Sequence, residues 1–346
     1  MIDWSLAERV AAAIADRVPA ADARGVAAEV DDYAARSARL VSSYTGLVAA
    51  DGLPDAETVD RSGWTTTNLG SMRVIMDPIA DRAGGGLGPA SSVLRTVTGM
   101  LLAVEVGALS GMLASRVLGQ YEFPLLDAEA PARLLFVGPN LAGAARALKA
   151  DEGALVRWVA LHETTHALQF GGVPWLREHL ATRVKGLVAS LDVQIDLRRA
   201  LRVPKLDDVR GLVRAVREGG GFVTVVAGPE RRALLDEMQA TMALLEGYAE
   251  HVMDAVGLDE LPELPELRAG LERRRRSRSG FLRVFERLIG LDMKLRQYEQ
   301  GKRFCDEVVA QAGISGLNRA WSEPSALPTL AELDAPRAWL QRVSSL

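Results

Sequence analysis

The sequence predicts a mainly α fold with at most a small β element, on two observations. Apolar residues recur at helical spacing with few breakers through five long segments, which are Ala21–Ala50, Ser92–Leu118, Leu155–Phe170, Leu234–Val256 and Phe281–Ala312. Strand patterns, in contrast, are scarce. Only two short segments are candidates: Ala132–Asn140, whose apolar run ends in a Gly-Pro-Asn turn, and the valine-rich Gly221–Pro229.

Turn-rich stretches separate the predicted helices. DGLPD (Asp51–Asp55) follows the first, AGGGLGP (Ala83–Pro89) precedes the second, and GLDELPELPE (Gly257–Glu266) follows the fourth. The glycines of the second stretch do not predict a phosphate-binding loop, because no lysine follows them at the P-loop spacing. We therefore interpret all three stretches as plain connections.

Length and composition favour a single large domain over residues 1–346, with room for two closely packed lobes at 1–130 and 131–346. A net charge of −4 argues against a protein dedicated to nucleic-acid binding. The single cysteine, Cys305, excludes a disulfide within the chain and is typical of a reducing compartment. The N-terminal sequence MIDWSLAERV shows no secretory signal pattern, so we predict a cytoplasmic protein.

One predicted helix is apolar enough to raise the question of a membrane span. The stretch Thr96–Ser115 has the length needed to cross a bilayer, and its Gly107 and Gly111 form a small-xxx-small pattern. Glu105 lies at its centre, however, where a charge costs about 2.5–3.5 kcal/mol on insertion scales. We therefore predict a buried helix of a soluble protein and no contact with a membrane.

The stretch LHETTHALQF (Leu161–Phe170) holds two of the four histidines in the chain. On a helix, His162 and His166 lie on one face and can chelate one zinc ion. Glu163 projects beside such an ion, where it can take a proton from water that the metal activates. This H-E-x-x-H arrangement predicts a zinc site in which Glu163 is the catalytic residue.

A chance match on a surface helix is the competing interpretation. The flanking residues argue against it, because Val159, Leu161 and Leu168 indicate a largely buried helix. Buried imidazole and carboxylate groups are costly unless they are paired or bound to a metal. The pattern therefore favours a metal site.

A catalytic zinc normally has three protein ligands. The metzincin pattern would require Gly at 169 and His at 172, where this sequence has Gln169 and Gly172. In gluzincins the third ligand is a glutamate from a later helix, and LLEGYAEHVMDAVG resembles that segment, which makes Glu246 our first choice. We expect the small residue after it, Gly247, to let this helix approach the HExxH helix closely.

Other residues stay open as candidates. Glu178 and Glu250 are alternative third ligands, and Glu250 or Asp254 could instead accept a hydrogen bond from a ligand histidine. His179 and His251 are further possible ligands, but we interpret them as ordinary polar contacts, with substrate contact a further option for His251. Tyr248 could polarise a carbonyl, although a packed aromatic ring is the commoner case.

The combination of these segments resembles the zincin-like metallopeptidase type 2 family, whose members are also labelled hydrolase or coenzyme F420 biosynthesis-associated. The blocks that carry the resemblance follow the family order and together span about two-thirds of the chain: VLGQYEFP (Val117–Pro124), LLFVGPN (Leu134–Asn140), Trp158–Leu180, LEGYAEHVMD (Leu245–Asp254), Lys294–Val309 and Leu317–Leu333. It implies a helical zincin-like fold and places His162, Glu163, His166 and Glu246 in the metal site. Tyr248 stands where the family has histidine, which affects only an outer contact.

Together these observations predict a zinc-dependent hydrolase, a metallopeptidase or amidase with a peptide or amide substrate, with Zn²⁺ as its cofactor. The alternative is a zincin scaffold that has lost activity and binds a partner. The intact Glu163 argues against that alternative, since a binding site needs no base. No residue points to binding of the deazaflavin coenzyme F420.

Overall fold

Helices make up most of the chain that the computed structural model describes, which confirms the predicted fold class. The described residues are 2–85, 91–127, 130–189, 192–195, 223–226, 229–257, 267, 269–270 and 296–345. The longer elements are α1 (Trp4–Ala15), α2 (Arg24–Thr45), β1 (Ala56–Val59), α3 (Arg61–Gly85), α4 (Ser91–Ala114), β2 (Gly119–Glu122), β3 (Arg133–Val137), α5 (Gly138–Leu148), α6 (Glu152–Gly172), α7 (Leu176–Ala189), β4 (Asp192–Ile195), β5 (Val223–Val226), α8 (Pro229–Gly257) and α9 (Arg296–Leu317). The chain then continues through short helices at Asn318–Trp321, Pro324–Ala326, Leu330–Leu333 and Pro336–Val343.

A small sheet of three strands supports the helices. Its order is β1-β3-β2, with β1 parallel and β2 antiparallel to the central β3. β2 is thus an edge strand within the described part of the chain, and α6 packs beside it. The sequence predicted β3 but not the two outer strands. The second predicted strand is also present, as β5, which pairs with β4.

The largest apolar core forms around α6. Buried side chains of α2, α6, α8 and α9 pack together there, among them Val30, Leu161, Leu244 and Phe304. Burying each large apolar side chain contributes about 1.5–3 kcal/mol. The helix that carries the HExxH motif is therefore held from several sides.

Gly247 of α8 does not face the HExxH helix, α6, as we expected. This glycine packs against α9, where a Cβ atom on it would lie 2.2 Å from the carbonyl carbon of Gly301. Successive helix residues point about 100° apart, so the neighbour of Glu246 faces a different helix. The expectation that Gly247 allows close contact with the HExxH helix was wrong, since its partner is α9.

Small residues also let the apolar helix α4 pack closely against α1. A Cβ atom on Gly107 or Gly111 would lie 2.4 Å from a backbone oxygen of α1, that of Ala7 or Ala11. The segment Thr96–Ala114 is long and apolar enough to cross a membrane, but 83% of it is buried inside the protein. That burial is typical of the core helix of a soluble protein. The predicted cytoplasmic location and absence of membrane contact stay predictions.

Two predicted boundaries were wrong for local reasons. α2 ends at Thr45, five residues before the predicted end, because Gly46 adopts a left-handed conformation with φ 74°. The Gly-Pro-Asn sequence after β3 begins helix α5 and is not a turn. Proline is well suited to the first turn of a helix, since its missing N–H would have no partner there.

Some predictions fall on residues outside the described ranges. Of the helix predicted over Phe281–Ala312, residues 281–295 lie outside them and the remainder belongs to α9. The loop predicted over Gly257–Glu266 lies almost wholly outside them as well. The division into lobes at residue 130 stays a prediction. Cys305 is buried and free.

Candidate metal centre

Helix α6 places the two motif histidines on one face. It begins at an N-cap, Asp151, whose side chain accepts a hydrogen bond from the Ala154 amide, and runs without a break to Gly172. Because four residues make about one turn, His162 and His166 lie one above the other. Their Nε2 atoms are 3.2 Å apart.

Glu246 of α8 meets both histidines. Its Oε2 lies 3.7 Å from Nε2 of His162, and its Oε1 lies 3.8 Å from Nε2 of His166. One ligand atom from each of the three residues falls within 4.8 Å of the other two. The three side chains are largely withdrawn from solvent, with exposed fractions of 12%, 13% and 23%. The structure thus brings together the three residues that the sequence ranked first.

Two contacts hold α8 in place along α6. Near one end, Nδ1 of His162 lies 3.2 Å from the Met253 sulfur. Near the other, the Gln169 side chain donates to the Leu245 carbonyl at 3.2 Å. Later residues of α6 therefore meet earlier residues of α8, so the two helices run antiparallel past the site.

Gln169 also orients one of the candidate ligands. Its Oε1 lies 2.9 Å from Nδ1 of His166, and the Gln169 side chain is fully buried. An amide oxygen can only accept, so Nδ1 of His166 carries the proton and Nε2 presents a lone pair. The sequence analysis had used Gln169 only to exclude metzincins. Its position three residues after His166 was the available signal, since residues three apart share a helix face.

We predict that Gln169→Leu weakens zinc binding by about 10–100-fold, the usual effect of losing a partner that orients a ligand histidine. The change removes the acceptor for His166 and the donor for Leu245 while filling a similar volume. Titration with a zinc indicator measures the Kd. Thr165→Val is the matched control, because Thr165 is equally buried and its one side-chain hydrogen bond among the described residues goes to the Leu161 carbonyl of its own helix. An unchanged Kd for Gln169→Leu would contradict the orienting role.

Glu163 lies beside the triad and is bound by the edge strand. The backbone amide of Tyr121 donates to Glu163 Oε2 at 2.8 Å. Burial raises the pKa of Glu163 to about 7 and the charge of Glu246 adds to that rise, whereas the hydrogen bond from the Tyr121 amide acts to lower it. The site therefore contains a buried carboxyl group whose charged form is disfavoured by burial and stabilised by a backbone donor.

A glycine permits this close approach of strand and helix. A Cβ atom on Gly119 would lie 2.6 Å from Cγ1 of Val159 and 2.9 Å from Cγ of Glu163. Any side chain at this position would push β2 away from α6. The sequence analysis missed both Gly119 and the Tyr121 amide, because a backbone donor has no side-chain signature.

The alternative ligands lie elsewhere. Glu178 is exposed on α7 and does not join the group of His162, His166 and Glu246. His179 contacts Glu237, with Nε2 to Oε1 at 3.4 Å, and burial lowers its pKa. His251 lies between the Tyr44 hydroxyl at 2.8 Å and Asp306 at 2.7 Å. His251 thus makes the polar contacts that the sequence analysis expected, whereas Nε2 of His179 approaches Glu237 without a hydrogen bond among the described residues.

The residues that follow Glu246 have other surroundings. Asp254 forms an ion pair with Lys302 at 2.9 Å. Tyr248 is fully buried, donates to Asn318 at 2.8 Å and packs 5.4 Å from the Trp321 ring, so it is a packed aromatic. That Glu250 accepts a hydrogen bond from a ligand histidine stays a prediction.

The donor set suits zinc. Two atoms that each bind a tetrahedral zinc ion at about 2.0–2.1 Å lie about 3.4 Å apart. The distance between the two Nε2 atoms is 3.2 Å, and the carboxylate oxygens lie at 3.7 and 3.8 Å. Two imidazoles and one carboxylate leave a fourth position open, as in catalytic zinc sites. His162, His166 and Glu246 therefore fit a catalytic zinc ion.

Comparison with known proteins agrees with this geometry. The zincin-like metallopeptidase family matches residues 2–340. The chain belongs to this family. A zincin-like metallopeptidase is expected to use a metal ion, and the group formed by His162, His166 and Glu246 is the candidate site for it.

A solved structure supports the same class of protein. The crystal structure of "a putative hydrolase with a novel fold" from Chloroflexus aurantiacus is similar to this zincin-like metallopeptidase with a TM-score of 0.74. The two proteins are 29% identical, and the similarity covers 100% of each chain. Comparison with curated proteins gave no significant match. The family and this neighbour together support a hydrolase.

Proposed function

We propose that this zincin-like metallopeptidase is a zinc-dependent hydrolase that cleaves peptide or amide bonds. One observation carries the proposal: three zinc-type donor atoms fall within 4.8 Å of one another, and a buried carboxyl group lies in the same turn of α6. A site that only binds a metal would not require this buried carboxyl group, which belongs to Glu163. Family membership supports the same conclusion.

In this proposal His162, His166 and Glu246 hold the zinc ion through Nε2, Nε2 and the carboxylate. When bound, zinc supplies Lewis acidity toward water and the substrate carbonyl. Gln169 keeps His166 in the tautomer that presents Nε2. The three side chains come from two antiparallel helices that pack in the main core, so the ligands are held before a metal arrives.

Glu163 moves the proton in this mechanism. It accepts a proton from the attacking water as the new C–O bond forms, and it then delivers that proton to the leaving nitrogen as the C–N bond breaks. The hydrogen bond from the Tyr121 amide holds one carboxylate oxygen, so the other is available to the water. Hydrolysis needs no further reactant.

We expect purified protein to contain about one zinc ion per chain, because two imidazoles and a carboxylate converge on one point. Elemental analysis measures it, and the double variant His162→Ala/His166→Ala should lose the metal. Zinc-loaded protein should also cleave members of a complex peptide mixture, as read by mass spectrometry. Stoichiometric zinc in the double variant would overturn the site.

A different result would favour the inactive scaffold. If wild-type protein binds zinc at the predicted site but cleaves nothing in peptide and amide libraries, that result favours an inactive zincin fold that binds a partner or ligand. In that case Glu163 would be retained only for its contact with β2.

A further inference from the structure

Three aromatic rings form a cluster next to the candidate metal site. Tyr121, Phe123 and Phe170, called the aromatic cluster below, are partly exposed. The ring centroids of Phe123 and Phe170 are 4.2 Å apart, and the Tyr121 ring stacks on Phe170 at 6.0 Å. Partly exposed aromatic rings offer apolar surface with little conformational freedom, which is suited to binding another apolar group.

The cluster lies at one end of the metal site. Phe170 follows His166 by four residues, so it lies on the same face of α6, one turn further on. Because α8 runs antiparallel to α6, the corresponding residue of α8 is Met242, one turn before Glu246 on the same face. Met242 is among the large apolar residues exposed on the described surface, at 36%. Both helices thus present an apolar side chain at this end.

The edge strand β2 contacts Glu163 through its backbone and contributes a side chain to the aromatic cluster. The backbone amide of Tyr121 binds Glu163 at 2.8 Å, while its side chain belongs to the cluster. Gly119 brings this part of β2 against α6, so the distance between Glu163 and the aromatic ring of Tyr121 is set by the backbone. A substrate whose scissile bond reaches Glu163 therefore has part of its chain within reach of the cluster.

Arg177 places a positive charge beside the cluster. The guanidinium of Arg177 lies 5.9 Å from the Phe123 ring centre and donates to the carbonyls of Pro124 and Asp127 at 2.8 and 2.6 Å. Burial raises the pKa of Tyr121, the charge of Arg177 acts against that rise, and the charge of Glu122 adds to it. A cationic substrate side chain at this place would meet charge of the same sign.

We propose that the aromatic cluster, with Met242, is the specificity site of this hydrolase and accepts a large uncharged side chain, aromatic by preference, next to the scissile bond. This inference rests on the proposed function, because it needs an open metal site beside the cluster. It predicts selectivity for aromatic over cationic and over small residues.

Three hydroxamates test the proposal by binding, without catalysis. All three bind the metal through the hydroxamate group, and acetohydroxamate offers little else. In addition, 3-phenylpropionohydroxamate carries an aromatic ring and 6-aminohexanohydroxamate carries a cation. With zinc-loaded protein in a calorimeter, the aromatic compound should bind about tenfold or more tightly than acetohydroxamate, from the apolar area that its ring buries. The cationic compound should bind no more tightly than acetohydroxamate.

Variants assign the preference to the cluster. Phe170→Ala should bring the affinities for the aromatic compound and acetohydroxamate to within about threefold of each other, since the buried apolar contact is lost. Met242→Ser changes an exposed side chain and is therefore expected to leave folding intact. It tests the same surface if the Phe170→Ala variant does not fold. Tyr33→Ala is the matched control, because Tyr33 is also partly exposed beside an arginine, with Arg157 at 5.3 Å, and takes no part in the cluster. It should keep the wild-type preference.

The outcomes separate the two proposals. If acetohydroxamate fails to bind zinc-loaded protein, the open metal site is wrong and the specificity site is overturned with it. If acetohydroxamate binds and the aromatic compound gains nothing over it, or the cationic compound binds most tightly, only the specificity site is overturned. A preference that survives both Phe170→Ala and Met242→Ser would likewise overturn it.

Discussion

Replacing Glu163 with glutamine is expected to lower turnover by about 10²–10⁴-fold while zinc content stays at the wild-type level. Glutamine has nearly the same volume, and its amide oxygen can still accept the hydrogen bond from the Tyr121 backbone. It cannot take up a proton from water, however. The measurement is kcat on a peptide that the wild-type protein cleaves, with elemental zinc determined on the same samples.

Glu178→Gln is the control for this experiment, because it makes the same chemical change at an exposed glutamate outside the site. It should keep wild-type kcat. Wild-type turnover in Glu163→Gln at full zinc occupancy would show that another group moves the proton, and that the mechanism proposed for the HExxH motif is wrong.

Glu246→Ala is expected to weaken zinc binding more than Gln169→Leu does, and thus by more than about 100-fold. The carboxylate of Glu246 faces both histidines at 3.7 and 3.8 Å, whereas Gln169 contacts one of the three ligand side chains, that of His166. Competition with a chelator of known affinity gives the zinc Kd. Activity should fall together with bound metal, unlike in Glu163→Gln.

Glu178→Ala provides the contrast, since Glu178 was the alternative third ligand and lies outside the triad. It should leave the zinc Kd unchanged. A larger loss from Glu178→Ala than from Glu246→Ala would reverse the assignment. Circular dichroism of each variant shows whether α8 remains folded, so that a lost ligand is distinguished from a lost helix.

The third candidate ligand, Glu246, was predicted from the sequence in part for a wrong reason. Glu246 was ranked first because its surroundings resemble a known segment, and the structure places it against both histidines. The supporting argument was wrong, since Gly247 contacts α9 and not the HExxH helix. Which helix a residue faces depends on how all the helices pack, and that packing is the sum of many apolar contacts spread along the chain.

The sequence by itself determined the helical fold class, which follows from helical periodicity in several segments, and the pairing of His162 with His166, which follows from the period of one helix. It also determined that Glu163 lies between them. Only the tertiary structure decided that the Tyr121 amide binds Glu163, that Gln169 joins His166 to the Leu245 carbonyl, and that aromatic rings gather beside the metal site. Apart from the contact between His166 and Gln169, these contacts join residues distant in the chain. Two of them use backbone groups, which are the same in nearly every residue and leave no pattern in a sequence.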